Sequence, residues 1–158
     1  MRGPLARRRR GIDRRRMVAE AAATRDWLKL FWGSGRSLYQ PLPRDHVTFA
    51  QGGRPGIATG DRLVILGVGT SGKLLAIVTA TSGIAMPGPD PQAPHRCESR
   101  IDLVCAHVDR APACGVLPGA DQLRQWLETP ADHRAITEAQ VAAAEAAILA
   151  AGGTPPAA

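Results

Sequence analysis

The sequence predicts an α+β domain: a small, bent antiparallel sheet or open β-barrel with flanking helices and a closing C-terminal helix. Two apolar, partly β-branched runs, residues 62–68 and 73–81, are separated by a glycine-rich turn and predict a β-hairpin. An aromatic-rich run at 26–32 predicts a further strand. The alanine-rich segment that follows Thr137 predicts a long helix, because Gln140 stands three residues after Thr137 and completes a capping box.

The other predicted elements fill the space between these segments. Glycine and proline punctuate residues 33–60 and 83–96, so both are predicted to be mostly loop. The predicted elements in chain order are a strand at 26–32, a short element at 46–50, strands at 62–68 and 73–81, a strand at 101–108 with Ile101, Leu103 and Cys105 on one face, a helix at 121–128 and a helix ending at Ala151.

Charge is divided unevenly along the 158 residues, which have room for one domain. Residues 1–16 contain eight arginines and one acid, a charge of +7, so the rest carries −1 of the total +6. We expect a disordered arginine-rich tail over 1–16, a single domain over 17–151 and a disordered C-terminus over 152–158. An alternative interpretation is that translation begins at Met17, where a helix-like segment opens.

Composition also bounds the setting of the protein. The abundance of Ala, Gly, Pro and Arg is typical of GC-rich bacterial genes. The arginine run is not followed by the apolar core of a signal peptide, and no stretch approaches the roughly 20 apolar residues that span a bilayer. Three cysteines without a CxxC pair fit reduced thiols. We therefore expect a cytoplasmic protein that does not bind a membrane.

The most conspicuous motif is Gly67-Val68-Gly69-Thr70-Ser71-Gly72, which matches the G-x-G-x-x-G of dinucleotide-binding folds. As an alternative hypothesis, it predicts a Rossmann-like nucleotide-binding enzyme with a helix at 72–82. The hairpin interpretation instead predicts a strand there. The same residues also approximate a P-loop, but Leu74 stands where Ser or Thr would hold magnesium.

Histidines and cysteines in the second half offer another alternative, a zinc site. The candidates are His95, Cys97, Cys105, His107, Cys114 and His133. Structural zinc sites usually have paired, closely spaced ligands, and these residues straddle a proline-rich loop. We therefore expect the cysteines to be small buried hydrophobes, with no metal and no cofactor bound. The sequence also offers no catalytic triad and no evident pair of acids.

Aromatic and arginine side chains cluster in the glycine-rich region after the first strand. Such side chains stack on bases and contact phosphates. The candidate nucleic-acid-binding residues are Trp32, Ser34, Arg36, Tyr39, Phe49 and Arg54. Core packing is the competing interpretation for Trp27, Phe31 and Phe49.

Five short motifs over about residues 25–150 carry a resemblance to a known family. They are Trp27-Leu28, Gly60-Asp61 with the apolar strand to Ile65, the strand from Leu75 to Thr81, Ile101 to Val104, and His133 to Glu138 before the last helix. In these motifs the chain resembles the EVE branch of the PUA-like superfamily. The resemblance implies a small β-barrel that takes a flipped base, often a modified one, into a pocket.

Sequence and resemblance together favour a non-catalytic module that binds DNA or RNA and recognises a modified base. The tail arginines and Arg54 are then expected to serve the phosphates. Two classes remain as alternatives: the Rossmann-like enzyme above, and a protein-interaction or accessory domain without affinity for nucleotides.

Overall fold

A computed structural model describes residues 25–32, 45–49, 55–68, 72–85, 95–105, 108–127 and 132–156. Six strands and two α-helices lie within these residues, with two short 3₁₀ turns at Val108–Arg110 and Cys114–Val116. The strands are β1 Asp26–Trp32, β2 His46–Phe49, β3 Arg62–Val68, β4 Lys73–Ala80, β5 His95–Val104 and β6 His133–Ile136; the helices are α1 Ala120–Leu127 and α2 Glu138–Ala150.

The strands form one mixed sheet in the order β2-β5-β4-β3-β1-β6, curled into a half-barrel. The predicted α+β class and bent sheet are confirmed. The prediction of a purely antiparallel sheet is wrong, because β1 pairs with β3 in parallel, with Leu28 opposite Val64. A parallel neighbour requires a long crossover, and the chain supplies one between Trp32 and Arg62 that includes β2.

Two β-bulges change which side chains face each side of the sheet. The register between β3 and β4 shifts by one residue after Ile65, so Leu75 is extra on β4. A second shift between β4 and β5 makes Asp102 the extra residue on β5. The Asp102 carboxylate accepts hydrogen bonds from the Thr79 hydroxyl and from Arg100. Bulges bend a strand and increase its twist, which fits the curl of this sheet.

Apolar side chains fill both faces of the sheet. Those on the convex face pack under the helices: Leu28, Leu30, Val64, Leu66, Leu74, Leu123, Val141, Ala144 and Ile148. Those on the concave face fill the inside of the curl: Trp27, Phe49, Ile57, Leu63, Ile65, Ala76, Val78 and Cys97. Strands β1 and β3 alternate between these two cores, as the period of two in a strand requires. The concave face is the side on which the candidate site lies.

The segment after Gly72 decides between two of the sequence hypotheses. Residues Lys73–Ala80 form a strand antiparallel to β3, so the predicted hairpin is confirmed. The helix at 72–82 that a Rossmann-like enzyme needs is absent, and that alternative is therefore wrong. Gly72 has a φ of +68°, a conformation that suits glycine where the chain enters β4.

Strand β5 differs from the prediction of a strand at 101–108. It begins six residues earlier, at His95, and ends at Val104, where it also bridges to Thr154. The first half of β5 is polar in sequence, so the sequence does not show the alternation of buried and exposed residues along this strand. The bulge at Asp102 places Ile101 and Leu103 in different cores, so the expectation that they share one face is wrong.

The predicted helices are confirmed with small changes at their ends. Helix α1 runs from Ala120 to Leu127, one residue ahead of the predicted span. Thr137 and Gln140 form the predicted capping box at the start of α2. No helix in the part of the chain that the structure describes is long and apolar enough to cross a membrane.

Candidate binding site inside the curled sheet

A lysine and a histidine face each other across the pair of strands at one edge of the sheet. Lys29 on β1 is the register partner of His133 on β6. Directly opposed residues of an antiparallel pair point to the same face, and here that face is the concave one. The Leu30 amide donates to the Asp132 carbonyl over 2.8 Å, which fixes the chain immediately before β6.

Asp132 joins Lys29 and His133 into one charged group, which we call the Lys-Asp-His cluster. The Lys29 ammonium lies 3.2 Å from Asp132 Oδ2 and donates to the Leu30 carbonyl over 2.6 Å. His133 Nδ1 lies 2.9 Å from Asp132 Oδ1. An ionised Asp132 carboxylate only accepts, so this contact assigns the donor role to His133 Nδ1.

The cluster is buried to different degrees. The side chains of Lys29 and Asp132 are 7% and 6% exposed, whereas that of His133 is 24% exposed. Burial lowers the pKa of Lys29 below its ordinary value, and the adjacent Asp132 carboxylate opposes that shift. A buried ion pair contributes little net stability, because desolvation offsets much of the attraction. Such groups are therefore candidates for a functional role.

Two aromatic rings form walls beside the cluster. The centroid of the Phe49 ring lies 5.2 Å from Lys29 Nζ, within the range of a cation–π contact. The same ring meets His133 edge-on, with centroids 5.3 Å apart and an interplanar angle of 85°. The indole of Trp27 lies 5.9 Å from the His133 ring at 53°. The imidazole is thus held between two aromatic side chains on different strands.

Asp61 fixes the position of Trp27. Its carboxylate, on a residue only 1% exposed, accepts from the indole Nε1 of Trp27 and from the backbone amides of Arg25 and Ala58, each over 2.9 Å. Gly60, with a φ of 92°, makes the turn that brings Asp61 to this place. The Gly60-Asp61 pair therefore has a structural role: it orients one wall of the site.

Residues of β5 line the opposite side of the interior. Cys97 is completely buried, and burial raises the pKa of its thiol from 9.0 to about 11, so it remains protonated at neutral pH. The hydroxyl of Ser99 is buried without a hydrogen-bond partner among the described residues. Within the same residues, no group of three or more His, Cys, Asp or Glu side chains is arranged to hold a metal ion.

A second concavity lies at the amino ends of β1 and β3, on the outer surface. It is an open groove of about 460 Å³ lined by Arg25, Asp26, Arg62, Ala135, Ile136 and Glu138. The Arg62 guanidinium is held by Asp26 through two hydrogen bonds of 3.0 and 3.2 Å. Basic and acidic side chains are equal in number in this groove, so it does not present an evident site for phosphate.

The structure describes only part of the site that the sequence predicted. Phe49 lies inside the curl and is completely buried, and Trp32 is the last residue of β1. Ser34, Arg36, Tyr39 and Arg54 lie outside the described residues. The sequence did not predict Lys29 or Asp132 as site residues, and His133 was a candidate zinc ligand and part of one motif of the family resemblance. One signal was available: Lys29 is one of two lysines and interrupts the apolar run from Trp27 to Trp32.

Comparison with known proteins finds solved structures that share the fold of this chain. No family model matches the chain, and no curated protein matches its sequence. A structure of a hypothetical protein from Leishmania major aligns with a TM-score of 0.53 at 6% identity, covering 76% of this chain and 91% of that chain. Protein Atu2648 from Agrobacterium tumefaciens aligns with a TM-score of 0.52 at 11% identity, covering 85% and 100%, respectively. At these identities the likeness shows a shared fold.

Proposed function

We propose that this domain is a non-catalytic nucleic-acid-binding module of the EVE and PUA-like kind, which recognises a base, often a modified one, inside the curled sheet. The observation that carries the proposal is the Lys-Asp-His cluster, a buried charged group beside the rings of Trp27 and Phe49. The resemblance of the sequence to the EVE branch supports it independently.

The chemistry of the cluster suits a planar heterocycle. Lys29 supplies a donor, Asp132 an acceptor, and the ring nitrogens of His133 can donate or accept. Bases present donors and acceptors along their edges and a π-face to aromatic side chains. Both requirements are met around His133, whose ring contacts Asp132 over 2.9 Å and lies 5.9 Å from the Trp27 indole. An apolar core alone would offer no such groups.

Phosphate contacts are assigned to a different part of the chain. Several basic side chains of the described residues are paired with acids: Arg62, Arg96 and Arg100 each form an ion pair with a carboxylate. We propose that the eight arginines of residues 1–16, together with Arg54, contact the phosphate backbone of the nucleic acid. Under this proposal the folded domain recognises the base, and the arginine-rich tail supplies most of the electrostatic attraction, so removing the tail separates the two contributions.

The experiment that tests this proposal measures the binding of the full chain and of residues 17–158 to short oligonucleotides. Single- and double-stranded forms, plain and base-modified, are compared across a salt series. We expect the domain without the tail to retain a preference for one modified base, with little salt dependence. We expect the full chain to bind more tightly, and its affinity to fall steeply with salt.

Variants of the two lysines locate the binding site. Lys29→Met removes the buried donor and is expected to weaken base-specific binding at least tenfold, because a hydrogen bond to a charged group is lost. Lys73→Met is the matched control: the same substitution at the other lysine, which bonds the Asp109 carbonyl at the far end of the hairpin. Equal binding by both variants, or binding only by proteins that carry the tail, would contradict the proposal.

A further inference from the structure

The ring of Phe49 occupies a position that has the surroundings of a ligand-binding site. Phe49 is completely buried, although it belongs to the short edge strand β2. One cation, from Lys29, lies 5.2 Å from the ring centroid, and one imidazole, from His133, meets its edge at 5.3 Å. Phe49 belongs to the cluster of buried apolar side chains that fills the concave core, together with Ala76, Val78 and Cys97.

A phenyl ring uses these surroundings only in part. It offers Lys29 a π-face and His133 a ring for edge-on contact, but it has no acceptor or donor of its own. A heterocycle of similar size would fill the same space and would add ring nitrogens or carbonyl oxygens facing the Lys-Asp-His cluster. Polar partners of that kind strengthen binding in a site that excludes water.

Strand β2 is a short strand at the edge of the sheet, where one neighbouring strand holds it. It has four residues, and its register pairs are all with β5, from His46 opposite Glu98 to Phe49 opposite His95. It stands at one end of the strand order, and β6 stands at the other end. Strands β2 and β6 are not hydrogen-bonded neighbours in the sheet, and Phe49 contacts His133 through its side chain, so displacing Phe49 breaks a side-chain contact there.

We propose that the position now held by the Phe49 ring is a binding site for a planar heteroaromatic ring, and that β2 withdraws Phe49 when such a ring enters. Phe49 then acts as an internal plug. The source of the ring, a base of a nucleic acid, rests on the proposed function above, but the existence of the site does not.

The first test removes the plug from the full chain. Phe49→Ala leaves a cavity beside Lys29 and His133, and cavities left by large-to-small substitutions bind small rings. Cytosine and benzene are the probes. At ten times its Kd, cytosine is expected to raise the Tm of this variant by about 4 °C. Leu63→Ala, a cavity in the same core that replaces no ring over Lys29, is the matched control and is expected to show no response to cytosine.

Two further variants make the test independent of how well Phe49→Ala folds. Phe49→Leu keeps most of the packing and removes the ring, so it is expected to bind cytosine more weakly but measurably. Adding Lys29→Met to either variant is expected to abolish the response to cytosine and to retain the response to benzene. A response to benzene alone in the Phe49 variants, or equal responses to cytosine in Phe49→Ala and Leu63→Ala, would overturn the heteroaromatic site.

Oligonucleotide binding distinguishes a failure of this inference from a failure of the proposed function. If Phe49 is a plug, its removal increases the affinity of the full chain for the preferred oligonucleotide, by about tenfold for each 1.4 kcal/mol no longer needed to displace it. If the unchanged protein binds the oligonucleotide and the Phe49 variant binds it more weakly, the plug is overturned and the proposed function still stands. If Phe49→Ala binds cytosine, but neither this variant nor the unchanged protein binds an oligonucleotide, the ring-binding site is supported and the proposed nucleic-acid function is contradicted.

Discussion

The ring of Phe49 on β2 packs edge-on against the imidazole of His133 on β6, with centroids 5.3 Å apart, although these two strands stand at opposite ends of the sheet order. The sheet is therefore curled far enough for its two edges to meet. The contact is made by side chains, and it lies directly over the buried ammonium of Lys29.

This contact is expected to be measurable as a coupling energy. Phe49→Leu and His133→Ala each remove one ring, and the double variant removes both. We expect the two effects on the free energy of unfolding to be non-additive by about 1 kcal/mol, the usual strength of an aromatic pair beyond its buried area. Urea denaturation of the four proteins measures it. Strict additivity would show that the two edges do not stabilise each other.

Asp61 is expected to be among the most sensitive acidic positions. Asp61→Ala leaves the buried indole donor of Trp27 and the part-buried amide donors of Arg25 and Ala58 without their acceptor. At about 1 kcal/mol for each orphaned donor, the free energy of unfolding falls by about 3 kcal/mol. Asp121→Ala, at a side chain that is 95% exposed, is the control and should change stability by less than about 0.5 kcal/mol. Similar losses in the two variants would show that the Asp61 carboxylate does not hold Trp27, Arg25 and Ala58 in the way described above.

The buried pair of Lys29 and Asp132 is expected to be costly to break from either side. Lys29→Met leaves a buried carboxylate and Asp132→Asn leaves a buried ammonium, so each should destabilise the domain by about 3 kcal/mol. The double variant leaves neither charge and should lose about 2 kcal/mol less than the sum. Chemical denaturation checks this cycle. Arg100→Ala, which breaks an ion pair whose arginine is 67% exposed, should cost less than about 1 kcal/mol.

Cys97 predicts a loss of stability at alkaline pH. Burial raises the pKa of its thiol from 9.0 to about 11 in the folded protein, so the folded state holds its proton more tightly than the unfolded state. The resulting stabilisation is fully present below pH 9.0 and is lost as the pH rises to about 11. The difference in unfolding free energy between the unchanged protein and Cys97→Ala should shrink by about 2 kcal/mol over that interval. A constant difference would contradict the burial of the thiol.

Thr137 is expected to stabilise the domain by capping the start of helix α2. Its hydroxyl accepts from the Gln140 amide over 3.1 Å, and the Gln140 side chain accepts from the Thr137 amide over 2.9 Å. Thr137→Ala removes the first of these bonds and should lower the free energy of unfolding by about 1 kcal/mol, whereas Thr137→Ser should keep it. Thermal unfolding of both variants tests the cap. Equal Tm values for the two would show that the hydroxyl is not used.

Local sequence by itself determined the elements whose signals lie within one segment. The hairpin of β3 and β4 follows from two apolar runs around a glycine-rich turn, and it excludes the dinucleotide fold that the same glycines suggested. Helix α2 follows from its capping box and its alanine content. These are short-range effects of backbone preference and hydrogen bonding, so a stretch of about ten residues contains the information.

Tertiary structure alone decided the pairings between distant segments. The parallel pairing of β1 with β3, the strand β6 and the bulge at Asp102 depend on what lies alongside, and no local pattern announces them. The Lys-Asp-His cluster has the same origin, since Lys29 and Asp132 are 103 residues apart. A buried charge is tolerated only where a partner is brought to it. The sequence shows a lysine in an apolar strand, and only the fold shows that Asp132, His133 and Phe49 surround it.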